Sequence, residues 1–155
     1  MNVSTLNDLK KFALGVVGAL LLAVSLPATA QDENPWKAGN YWNVSGIHIK
    51  DGGGLKYAQY LATEWVKMQE YSKSQGWISD FMVLSNTHPR EGEPNLYLIT
   101  IAPSLPSSDE ADKRGRMMRG FNKTTIAQMQ AQSAGRAEFR ELGSQMQLRQ
   151  LVLRK

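Results

Sequence analysis

The 155-residue chain contains no cysteine. Disulfide staples, thiol catalysis and thiolate-held metals are therefore excluded, and stability has to come from packing. Histidine is scarce too: there are two, His48 and His88, with no HExxH-type spacing, so no metal site is expected. No Gly-x-Ser-x-Gly elbow is present. Gly52-Gly53-Gly54 lacks the lysine and hydroxyl residue of a phosphate-binding loop and reads as a flexible turn. No long apolar run occurs after residue 30, and no low-complexity tract or internal repeat is visible beyond a two-fold β-α-β echo.

One uncharged run does exist. Phe12 to Leu26 spans 15 residues, fewer than the roughly 20 a bilayer-crossing helix needs. Lys10 and Lys11 precede it, Pro27 breaks it, and Ala28-Thr29-Ala30 follows as a small-x-small cleavage site. Residues 1–30 thus read as a cleaved secretory signal peptide, which implies a periplasmic or secreted protein. Loss of Asp8, Lys10 and Lys11 takes the formal net charge from +4 to +3, too modest to imply a nucleic-acid partner. No membrane partner is expected once the signal is gone. Charge is uneven, with 6 basic and 11 acidic residues over 31–112 and 10 basic and 2 acidic over 113–155, as if the two halves neutralise each other side by side.

Residues 31–40 read as a flexible leader and 41–155 as a single domain. Tyr41 to Lys50, rich in aromatic and β-branched residues, predicts a strand. Leu55 to Gln75 has helical period, with Leu55, Ala58, Leu61, Ala62, Trp65 and Met68 as its apolar stripe and Gly76 as its stop. Trp77 to Asn86 and Asn95 to Ala102 predict a strand hairpin. Ser107-x-x-Glu110 is a capping box opening a second helix, which breaks near Thr124 and resumes through Arg136 to Leu142, with Gly143 ending it. Gln145 to Arg154 predicts the last strand. The order βαββαβ is that of an α+β, ferredoxin-like fold, an antiparallel four-stranded sheet with helices on one face.

Such a sheet should be polar on its bare face. Here Trp42 and Val44 oppose Ile47 and Ile49, Met82 and Leu84 oppose Phe81 and Val83, and Tyr97, Ile99 and Ile101 oppose Leu96 and Leu98. Leaving either face wet forfeits roughly 25 cal/mol per Å² of apolar area. The expected solution is a homodimer, with a second copy's sheet on the bare face.

The strand ending Ile47-His48-Ile49-Lys50, the Asp51-Gly52 turn, the Tyr57-x-x-Tyr60-Leu61 helix start, the Trp65 helix and the Gly76-Trp77 hairpin entry resemble the dimeric α/β-barrel superfamily, with features of its NIPSNAP-like and EthD-like members. The resemblance runs through the whole mature domain in element order. It implies sheets that pair as a dimeric barrel and a cavity between sheet and helices. The superfamily includes monooxygenases, haem-handling proteins, decarboxylases and domains without known activity, and none of its catalytic signatures lies on this sequence residue by residue.

His48 and Asn43 are the candidate catalytic residues, because a histidine near a strand end can exchange protons near neutral pH. Trp42, His48, Tyr57, Tyr60 and Trp65 are the candidate ligand-binding residues. Core packing is the competing reading for Trp65, and a helix flank in which Glu64 and Lys67 pair is the competing reading for the Tyr57, Tyr60, Glu64, Lys67 and Tyr71 stripe. The expected function is binding of a small, partly apolar or aromatic ligand, with no cofactor required. A cofactor-independent monooxygenase or haem-handling enzyme is one alternative, and an interaction module without a small-molecule site is another.

Overall fold

The computed structural model describes residues 34–155; the expected signal peptide and the first residues of the leader lie outside the described residues. The elements are β1 (Trp36–Ile49), α1 (Gly54–Tyr60), a π-helical turn (Leu61–Trp65), α2 (Val66–Ser74), β2 (Asp80–Ser85), β3 (Leu96–Ala102), α3 (Ser108–Asn122), α4 (Ile126–Gly135), a 3-10 turn (Arg136–Glu138) and β4 (Arg140–Leu153). The strands form one antiparallel sheet in the order β2-β3-β1-β4, an α+β arrangement compatible with ferredoxin-like topology.

Three boundaries differ from expectation. β1 starts at Trp36, because Trp36 to Ala38 pair with Leu151 to Leu153, so residues 36–40 are strand and not leader. β2 starts three residues after Trp77, whose amide is spent on the Ser72 carbonyl and whose ring packs edge-on against Tyr71. The third helical piece stops at Glu138, not Leu142. Phe139 donates its amide back to the Arg136 carbonyl, and Arg140 to Leu142 instead pair with Ile49 to Ile47, giving the edge of β1 a partner.

Gly143 therefore lies within a strand. The register slips by one between Ser45↔Gln145 and Ile47↔Leu142, so Gly143 and Ser144 together face Gly46 as a β-bulge. A Cβ on Gly143 would lie 2.9 Å from Nε2 of His48, whose ring occupies that space. The bulge also reverses side-chain direction along β4. Met146 and Leu148 pair with Val44 and Trp42 on one face, whereas Leu142 and Arg140, also even-numbered, fall with Ile47 and Ile49 on the other.

Both faces are apolar, as the strand alternation predicts. On the helix side Ile47, Tyr57, Leu61 and Trp65 form a core against Phe81, Leu96, Leu98 and Phe139. On the opposite side Val44, Ile99 and Ile101 form a second buried cluster, and the apolar side chains packed on it (Trp42, Met82 and Tyr97) all come from strands. Each fully buried side chain of this size stabilises the fold by roughly 1.5–3 kcal/mol.

The inward stripe of the helical rod is Tyr57, Leu61, Trp65 and Ser72, while Leu55, expected inward, is 72% exposed. Steps of four residues drift by about 40° each in an α-helix of 3.6 residues per turn. The π-helical turn at Leu61–Trp65 is wider, so Tyr57, Leu61 and Trp65 stay above one another over the sheet.

The glycine turn is a tight junction. Gly53 donates to the Lys50 carbonyl at 2.8 Å and caps α1, and a Cβ there would overlap the Phe139 carbonyl and lie 2.9 Å from Phe139 Cβ. Substitution Gly53→Ala should cost roughly 1–3 kcal/mol through overpacking. Gly54→Ala, where a Cβ meets open space, should be neutral or better. Urea unfolding midpoints of the two variants check this; equal midpoints would show that the junction yields.

Candidate functional site

Two helix faces meet beside the rod. Lys123, in the left-handed conformation, ends α3. Thr125 and Gln128 then form a capping box that starts α4. This turn sets Met129, Gln132 and Arg136, spaced three and four apart on α4 and its 3-10 extension, opposite Tyr60, Glu64, Lys67 and Met68 of the rod. A cavity of about 420 Å³ lies between them, with Phe139 also in its wall and Asn122 and Thr124 at the α3–α4 turn.

The walls are apolar and aromatic, but the polar groups among them are largely unspent. Among the described residues the side chains of Glu64, Lys67, Asn122 and Gln132 make no hydrogen bond or ion pair, so the expected Glu64–Lys67 pairing does not occur; Lys67 lies over the Phe121 ring instead. The Arg136 guanidinium sits 4.4 Å from the Tyr60 ring centroid, a cation–π contact, and its buried Nε has no hydrogen-bond partner. Tyr60 stacks on Tyr57 at 5.7 Å, and Tyr57 meets Phe139 at 6.2 Å.

Behind this layer is Arg140, buried and turned to the helix side by the β4 bulge. Its side chain has one long hydrogen bond, 3.4 Å to Ser133 Oγ. The nearby carboxylates are engaged elsewhere, Glu138 with Lys56 at 3.0 Å and Glu141 with Lys50 at 3.4 Å. Burial, with the Tyr60 phenol beside it, pushes the Tyr57 pKa up to about 12, and the positive charges of Arg140 and Arg136 oppose that shift.

A second, more open hollow of about 510 Å³ lies between α1 and the sheet, lined by Ile49, Ala58, Leu61, Val83 and Leu96, with Ser85, Asn86 and Asn95 at its edge. Its amides are already committed. Asn95 Oδ1 accepts from the Ile49 amide at 2.8 Å, and Asn86 Nδ2 donates to the Pro94 carbonyl and to Glu93. The first cavity is the better candidate, because apolar walls there converge with free polar groups.

The structure does not gather the sequence candidates into one place. Tyr60 lines the cavity. Tyr57 is buried directly behind it, and Trp65 is a core residue set edge-on to Phe81 at 5.5 Å. Trp42 and His48 lie on the opposite face of the sheet with Val44. Asn43 is on the helix-side face but accepts a hydrogen bond from Gln147 Nε2 at 3.0 Å, far along β1 from the cavity wall. His88 is exposed and bonded to Thr87. Arg136, Phe139 and Arg140 were not singled out from sequence; their signal is an Arg-x-x-Phe-Arg segment with two cations four residues apart. Among the described residues no three acidic or histidine side chains cluster to hold a metal, and no helix is long and apolar enough to cross a membrane.

Because the Tyr57 pKa in the fold exceeds its value in the unfolded chain, its contribution is complete below about pH 10 and is lost as pH rises toward 12. Tyr57 should ionise near pH 12 in an ultraviolet titration, above the ordinary tyrosine value, and Tyr57→Phe should flatten the alkaline fall in stability. An unchanged alkaline slope in that variant would contradict this. Compared with known proteins, the chain matches no family model, no curated protein and no solved structure.

Proposed function

We propose that this is an exported, homodimeric α/β domain that binds a small, partly apolar ligand in the cavity between the helical rod and α4. The carrying observation is that cavity itself, with Tyr60, Met68, Met129 and Phe139 supplying apolar surface beside unspent polar groups. Its volume of about 420 Å³ falls in the ordinary range for small-molecule sites. Methionine walls suit ligands of varied shape. Catalysis by His48 has no support from this placement, since the histidine and the cavity lie on different sides of the sheet.

The homodimer is supported by the second apolar face. Around the Val44, Ile99 and Ile101 cluster, Leu84, Met146 and Leu148 are 47%, 44% and 50% exposed. A second copy's sheet laid on them would remove that surface from water. Export rests on the sequence alone.

Thermal-shift screening against aromatic acids, quinones and haem should raise the melting temperature with at least one class, and Met129→Trp, which fills the cavity, should abolish that rise. No shift with any of them counts against a ligand site. Size-exclusion chromatography with light scattering should give a dimer at micromolar concentration, and Leu148→Glu should shift it toward monomer. A clean wild-type monomer would sink the paired-sheet reading.

A further inference from the structure

We infer that the cavity selects an anionic ligand, a carboxylate on an aromatic or short aliphatic body, through Arg136 with Arg140 behind it; this rests on the ligand-site reading above. Two cations, Arg136 and Lys67, line the cavity against one carboxylate, Glu64. Arg140, a buried residue at 7% exposure, adds a further positive charge. Neither arginine has an ion-pair partner among the described residues, because Glu138 and Glu141 are turned to lysines.

Burying guanidinium charge without an anion is costly, and a native fold keeps such an arrangement where something else completes it. The Tyr60 ring offsets part of that cost for Arg136 but leaves Nε without an acceptor. The planar pairs of N–H groups on a guanidinium match the two oxygens of a carboxylate, whose lone pairs accept two parallel N–H bonds. A ligand held this way would have its body against Phe139, Met129 and Met68, which line the same cavity. The class is thus fixed at one end by charge and planarity and left broad at the other by soft walls.

Calorimetric titration of the full chain with 2-naphthoate and with neutral 2-naphthamide tests the inference. Naphthoate should bind about tenfold or more tightly than the amide, the scale of a hydrogen-bonded charged contact. Arg136→Gln should bring the two affinities together by weakening naphthoate about tenfold more than the amide, and Arg136→Lys should recover part of the gap. Equal wild-type affinities would overturn the anion preference and leave the apolar site standing. A gap that persists in Arg136→Gln would overturn the assignment to this arginine. Absence of binding by both compounds at millimolar concentration would overturn the ligand site along with it.

Discussion

The contact on which the rest of the domain depends is the close approach of the Gly53 backbone to the Phe139 peptide. Two chain segments 86 residues apart meet there without room for a side chain between them. The Lys50 amide bonds to the Phe139 carbonyl at 3.1 Å, and Gly53 bonds back to Lys50, so the end of β1, the start of the rod and the entry to β4 are one rigid corner. Tyr57 stands one turn above that corner and Arg136 one turn before it. The cavity wall is therefore fixed by backbone, and its aromatic and cationic groups are held by short lever arms. That is the condition for a preorganised site.

Two departures from regular geometry place the side chains around this corner. The π-helical turn keeps Tyr57, Leu61 and Trp65 in one inward column, which leaves Tyr60 and Glu64 turned toward α4. The β4 bulge swings Arg140 to the helix side, next to the tyrosine pair. Without that slip Arg140 would share a face with Met146 and Leu148, its charge set against the apolar cluster around Val44. Extra residues in helices and strands recur at functional sites because they re-aim side chains at small cost.

Most of the architecture was legible in the sequence because it rests on short periods. The alternation of Trp42, Val44, Ile47 and Ile49 correctly implied a sheet greasy on both sides, and the Ser107-x-x-Glu110 pattern located the start of α3. What escaped were features set by long-range pairing. Arg140 to Leu142 have fair helical propensity, and only the vacant edge of β1 draws them into a strand. Tyr57 looked like a flank residue because a 3.6-residue period cannot anticipate a π-helical turn. Of the candidate binding residues, Tyr60 alone reached the cavity wall; Trp42 and His48 could not, since their even-numbered register assigns them to the far side of the sheet. Arg136 and Arg140 do not stand out in the sequence, because it does not reveal that the nearby glutamates are engaged with Lys50 and Lys56.

The pairing of β1 with β4 has a mechanical consequence. Pro35 and Arg154 are hydrogen-bonded neighbours at 2.8 Å, at one end of two antiparallel strands of 14 residues each. Fully extended, such strands reach about 45 Å. Tension applied through both ends would load the ladder one rung at a time, peeling it open like a zip instead of shearing all rungs together. The domain would give way easily to such a pull, opening first at the end most distant from the glycine corner.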